Sequence, residues 1–270
     1  MQAADGPALV CRALETVAPH LFTTRAWALG SAADGQSPAA WAAVAASIGV
    51  ETDRLVRVHQ VHGAAVRVHR RGDRSTAARP DADIILTDDS SSAVAIQTAD
   101  CVPLLLADTR TGFVAAAHAG WRGLALRVPH AVVGALIRES GCRPADLVAA
   151  VGPSIGACCY EVGADVRDAF SSAAFDDGAI ERWFLDRSRP TAANPSIEKA
   201  QGPPRAGHWF FDGWSAAREQ LEAAGIPSAQ IHVAELCTAS HPATFPSYRR
   251  DGRGAGRLAA AIRRRQEAVP

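Results

Sequence analysis

Apolar runs of strand length dominate the first half of the chain. Residues 55–69, Leu-Val-Arg-Val-His-Gln-Val-His-Gly-Ala-Ala-Val-Arg-Val-His, alternate apolar and polar on either side of Gly63. That period predicts two short strands with a bend, His62 closing the first. Residues 83–87, 93–98, 102–107 and 113–118 are continuous apolar runs, the pattern of strands buried on both faces. A glycine turn, Ala119-Gly120-Trp121-Arg122-Gly123, then leads into a helix-period stretch over 124–139. The order repeats as a strand at 147–151, a turn at Gly152-Pro153-Ser154-Ile155-Gly156 and a helix over 162–174. Residues 186–207 shift to Pro, Arg, Ser and Ala, the composition of a mobile loop. A helix over 214–224, a strand at 231–234 and a final basic helix ending in Arg263-Arg264-Arg265 complete the pattern. No linker or internal repeat divides residues 1–270, so the expected fold is α/β: a single layered domain with a mixed β-sheet flanked by helices.

Composition narrows the chemistry. The 28 Lys+Arg balance 28 Asp+Glu, leaving no overall field to hold a polyanion, which argues against nucleic acid as a partner. Among those 28 cations the only lysine is Lys199. It follows no glycine run, which excludes a P-loop, and it lies in the Pro- and Ala-rich loop, a poor setting for a Schiff-base lysine. Gly252-Arg253-Gly254-Ala255-Gly256 has the wrong spacing for a dinucleotide site. Six scattered cysteines in a chain of this size read as reduced thiols. No secretory signal pattern and no 18-residue apolar run is present, so a cytoplasmic, unanchored protein is expected, a monomer or weak homodimer.

Most of the nine histidines have ordinary structural readings, among them His20, His69, His130, His208, His232 and His241. His59 and His62, three apart on a strand, should face opposite ways. Three positions differ because each ends an apolar strand beside small or turn-forming residues: His62 before Gly63, Cys101 after Asp100, and His118 before Ala119-Gly120. Strand ends of this kind put side chains into a cleft. Two imidazoles and a thiolate suit Zn²⁺ or copper, and three ligands leave a fourth position open. The adjacent Cys158 and Cys159 cannot form a disulfide without severe strain and read as small buried residues.

Gln60-Val61-His62-Gly63, Asp81-Ala82-Asp83, Thr98-Ala99-Asp100-Cys101-Val102-Pro103, His118-Ala119-Gly120-Trp121-Arg122-Gly123, Gly152 to Val162 and Ser247 to Gly252 resemble, in order, the signature segments of the YfiH/laccase-domain family. That family has been called multicopper polyphenol oxidase and, more recently, purine nucleoside phosphorylase. The resemblance spans about residues 20–262 and implies a zinc site at His62, Cys101 and His118, the three strand-end positions. It also implies phosphorolysis of adenosine, inosine, guanosine and methylthioadenosine, together with adenosine deamination. The chain departs from the pattern after Thr23-Thr24-Arg25, where it reads Ala26-Trp27-Ala28-Leu29-Gly30-Ser31, and Asn194 is its only asparagine. A substrate-facing amide expected from that loop is therefore missing.

Candidate roles follow. Asp100 would move a proton to leaving ammonia. Arg25, Arg122 and Arg249 would hold phosphate, since guanidinium forks match it and the one lysine does not serve. Cys237 would line the pocket floor. Competing readings use the same residues differently. Cys101 as nucleophile and His118 as base would make a metal-independent hydrolase or amidase acting on cell-wall precursors. A structural metal site would make a binding protein. A copper-dependent polyphenol oxidase fits least, since one site with two histidines and one thiolate lacks the ligands of a multicopper cluster.

Overall fold

The structure, a computed structural model, describes residues 2–3, 6–31, 33–73 and 79–266. It is mixed α/β, as the periodicity predicts, and it contains two large sheets. One runs Gln2–Ala3, Gly6–Leu9, His20–Thr23, Leu258–Arg263, Ala93–Thr98, Leu55–Val56 in spatial order. The other runs Ile231–Val233, Leu147–Val151, Val102–Asp108, Val114–Ala119, Ile84–Thr87, Val66–His69. Both are mainly antiparallel, with parallel pairs at their edges.

Alternation along the strands explains the layering. Ile85, Leu105, Ala107 and Val114 point from the second sheet onto Phe22, Val94, Ile96 and Ile262 of the first, forming a core between the sheets. Ile84, Leu86, Leu104 and Leu106 point the other way, onto helices Val128–Ser140 and Gly213–Ala223. The outer face of the first sheet, carrying Leu21, Ala93, Ala95 and Ala261, is covered by helix Pro38–Ser47 through Trp41, Val44 and Ala45. With helix, sheet, sheet and helix stacked in this way, the central strands are buried on both faces, and their sequences are mainly apolar, with polar residues concentrated near their ends.

Three local expectations change. The predicted C-terminal basic helix is the strand Leu258–Arg263, inserted between His20–Thr23 and Ala93–Thr98 with Leu258 opposite Thr98 and Arg263 opposite Ala93. Its run of alanines favours a helix locally, but small side chains suit a strand pressed on both faces, and tertiary pairing overrides propensity. The first half of the predicted 55–69 pair is only Leu55–Val56; His59 then makes an isolated bridge to Asp81, and His62 sits in a turn at φ +59°. The 124–139 helix is divided into Trp121–Ala125 and Val128–Ser140, because Arg127 adopts a left-handed conformation just before Pro129.

Residues 186–207 contain a single 3₁₀ turn, Glu198–Ala200, as their regular structure. Asn194 ties the stretch down: its side chain donates to the Glu235 carbonyl at 2.9 Å and accepts from the Cys237 amide at 2.8 Å. No helix among the described residues is long and apolar enough to cross a membrane.

Candidate metal centre and substrate pocket

His118 is carried on the last turn of pleat of Val114–Ala119, where its amide donates to the Asp83 carbonyl at 2.8 Å. Its Nδ1 lies 2.7 Å from Asp83 Oδ1. A carboxylate only accepts, so Nδ1 carries the proton and Nε2 is left as the donor atom for a metal. The same carboxylate accepts the amides of Val61, His62 and Gly63 at 3.2, 3.1 and 2.7 Å. Asp83, fully buried, thus shapes the turn that presents His62 and at the same time orients His118.

Cys101 follows Asp100, whose φ of +82° turns the chain from Ala93–Thr98 into Val102–Asp108. The Cys101 sulfur lies 4.0 Å from His62 Nε2, and the His62 and His118 rings meet edge to face at 4.8 Å. The ligand atoms of His62, Cys101 and His118 all lie within 4.8 Å of one another. Gly120 makes room for them, since a Cβ there would stand 2.9 Å from the Cys101 sulfur and 3.2 Å from the His62 ring. Two imidazole nitrogens and a thiolate around a space that backbone has vacated fit a borderline-soft ion such as zinc.

The electrostatics point the same way. Burial alone would push the Cys101 thiol up, but the neighbouring imidazoles of His118 and His62 bring it down to about 6. Burial would push His118 down, yet the Cys101 sulfur and the Asp83 carboxylate hold it up at about 9. Without metal the two form a thiolate and imidazolium pair near neutrality, so the sulfur is already in the form that binds metal.

This centre forms one wall of a cavity of about 510 Å³. Asp100, Arg122 and Arg249 line it, as the motifs predict, and so do Gln60, Gln97, Trp121, Tyr160, Tyr248 and Arg257, to which no role was given from sequence. Gln60 and Gln97 brace each other, Gln60 Nε2 donating to the Gln97 carbonyl and the Gln97 amide donating to Gln60 Oε1, both at 2.8 Å. Arg122 lies over Trp121 at 4.2 Å and Arg249 over Tyr160 at 4.9 Å. Among the described residues neither arginine is in a salt bridge, and both keep donors for an anion. Burial pushes the Tyr160 hydroxyl well above its ordinary range, so it enters the pocket protonated. Gln60, Trp121, Tyr160 and Tyr248 stand inside the motifs, and Trp121, three residues after His118, carries the added signal of an aromatic near a strand-end ligand; Arg257 offers none.

Asp100 is placed differently from the expected proton carrier. Its two oxygens are occupied, accepting from the Thr238 hydroxyl and the Arg249 amide at 2.6 Å each, and burial pushes its pKa up. It anchors the segment that carries Arg249. Two expected substrate contacts fall outside the cavity. Arg25 bonds the Pro242 carbonyl at the surface. Cys237 is fully buried and is not among the residues that line the cavity; its neighbour Thr238 bonds Asp100. Other histidines are tied to local structure: His20 bonds the Cys11 amide and Ala18 carbonyl, His69 bonds Ser92, and exposed His59 bonds Asp81.

Residues 38–265 match the family described as multi-copper polyphenol oxidoreductase laccase. A purine nucleoside phosphorylase of Deinococcus radiodurans is 35% identical over 263 residues, covering 93% of this chain and 91% of its own. A protein of an unknown prokaryotic organism named adenosine deaminase RL5 is 35% identical over 228 residues, covering 82% of this chain and 79% of its own. The solved structure of a Bacillus licheniformis protein called YfiH superposes with a TM-score of 0.82 at 27% identity, covering 96% of each chain. A sequence match over more than half the chain, full-length relatives and a shared fold agree: the chain belongs to the YfiH-type, laccase-like family.

Proposed function

We propose that the chain is a zinc-dependent purine nucleoside phosphorylase that also deaminates adenosine. The observation that carries this reading is the convergence of His62, Cys101 and His118 on one wall of a cavity furnished with aromatic rings, amides and arginines. Zinc held by His62, Cys101 and His118 would supply Lewis acidity at the cavity wall. The chain's own groups do the rest. Trp121, Tyr160 and Tyr248 offer faces for a purine, while Gln60 and Gln97 offer amides for its edge or for ribose hydroxyls. Arg122 and Arg249 hold phosphate against the sugar carbon as the base leaves and positive charge develops there. Asp100 keeps Arg249 in place. On this reading residues 1–270 act as one domain, with adenosine, inosine, guanosine and methylthioadenosine as substrates. A multicopper oxidase cluster has no support in this donor set, because the site offers one thiolate and two imidazoles and no other histidine among the described residues joins it.

Adenosine incubated with and without phosphate tests the proposal directly. Adenine appearing only with phosphate reports phosphorolysis, and inosine in either condition reports deamination. No turnover of any purine nucleoside would sink the reading. Replacing Arg122 by Ala should raise the Michaelis constant for phosphate roughly tenfold, about 1.4 kcal/mol of lost binding, with deamination unchanged. An unchanged constant would remove Arg122 from that role.

One observation favours a second reading. The Cys101 thiolate and His118 imidazolium are the ion pair of a cysteine hydrolase. Here the metal decides: full activity in protein stripped of zinc by a chelator would favour the nucleophile, whereas loss on stripping and recovery with added zinc would favour the metalloenzyme.

A further inference from the structure

A second group of thiols lies behind the pocket. Cys158 and Cys159, on the turn that follows Gly156, and Cys237, whose segment bridges to Ser154, place three sulfurs within 4.8 Å of one another. All three are free thiols, and none is more than 2% exposed. Buried cysteines are ordinary when each faces carbon. These face one another. The Cys237 sulfur accepts the Gly156 amide at 3.4 Å, and the Cys159 thiol also reaches the Pro195 carbonyl at 3.7 Å. The half-buried Ser240 closes the group, its oxygen 3.5 Å from the Cys158 sulfur and 3.4 Å from that of Cys159. The Ser240 proton is committed to the Pro195 carbonyl at 2.6 Å, so its lone pairs are turned to the thiols. No residue of this cluster lines the substrate cavity.

Size and donor type select the occupant. Three thiolates at about 2.3 Å from an ion form a triangle with sides of about 4 Å, so sulfurs already within 4.8 Å need less than an ångström of movement to close on one. A structural zinc would require a fourth strong ligand, and among the described residues the cluster offers only a serine hydroxyl. Soft monovalent copper is satisfied by sulfur alone.

We propose that Cys158, Cys159 and Cys237 form a second, sulfur-only metal site that takes Cu(I), separate from the centre at His62, Cys101 and His118. Copper enters without change of oxidation state. Each copper–sulfur bond replaces a thiol S–H, whose proton leaves to water. The site stands on its own geometry and does not depend on what the pocket catalyses.

Anaerobic titration of the reduced, zinc-loaded protein with Cu(I), against bathocuproine disulfonate as competitor, tests it. One Cu(I) per chain should bind with zinc retained, and a His62→Ala/His118→Ala variant should take up the same single ion. Cys237→Ser should lose it, with affinity down at least tenfold, and Cys158→Ser should do likewise; circular dichroism checks that each is folded, and either variant suffices if the other is not. The proposal is overturned if the wild-type chain takes no copper from the competitor, if copper displaces zinc one for one, or if a folded thiol variant binds it unchanged.

Discussion

Cys101→Ala and His118→Ala should each purify with less than about a tenth of the zinc of the parent chain and phosphorolyse adenosine roughly a thousandfold more slowly, about 4 kcal/mol of lost transition-state stabilisation. The expectation rests on ligand number. Three protein ligands leave one coordination position for chemistry, and two ligands hold the ion too weakly and in too many orientations. The Cys101 change should cost more zinc, because it removes the one anionic donor among the three. Removing either member of the thiolate and imidazolium pair also leaves the other without its counter-charge when the metal is absent. Zinc content by mass spectrometry and turnover should fall together. Normal zinc with lost turnover would mean that Cys101 or His118 acts directly on substrate.

How much of this site could be read beforehand depended on how local its determinants are. His62, Cys101 and His118 were legible because each stands where an apolar run meets a glycine or a turn, and such positions open into clefts whatever the fold around them. The strands themselves were legible because burial on both faces leaves an unbroken apolar run, as in Val102–Asp108. The Leu258–Arg263 strand was not, because its identity is decided by neighbours some 160 and 240 residues away, at Ala93–Thr98 and His20–Thr23, and local propensity points to a helix. His62 does lie beside Cys101 and His118, but a turn caged by a distant carboxylate presents it, not a strand end. Cys237 and Arg25 failed as pocket residues because flanking motifs say that a side chain is near a site but not which way it points. Asp83 was visible as part of Asp81-Ala82-Asp83, yet nothing in those three residues announces that one carboxylate will serve two ligands 21 and 35 residues away.

Asp83→Asn should therefore act on both stability and metal binding. The carboxylate accepts one imidazole N–H and three backbone amides in a fully buried place. An asparagine has one acceptor oxygen and an NH₂ group, so at least one of these donors meets another donor. With hydrogen bonds to buried charged groups at about 1.5–3 kcal/mol, a loss of roughly 3 kcal/mol is expected in the metal-free protein. Zinc affinity should drop about 10- to 100-fold, as for other partners that orient a ligating histidine. The pH dependence identifies the cause. Burial pushes the Asp83 pKa up, but the His118 imidazole and the Gly63 and Val61 amides outweigh it, so the folded value lies below the usual 3.8. A depressed carboxylate contributes stability that is complete above its unfolded pKa and disappears as pH falls through its folded one. The gap in unfolding free energy between the parent chain and Asp83→Asn should hence stay level from about pH 6, where His118 is protonated in folded and unfolded parent alike, to about 5, and narrow below about 4, because asparagine has nothing to protonate. Urea unfolding of both metal-free proteins across that range measures it; a gap that persists unchanged to the lowest accessible pH would show that side-chain shape, and not the carboxylate charge, holds the His62 turn and the His118 ring together.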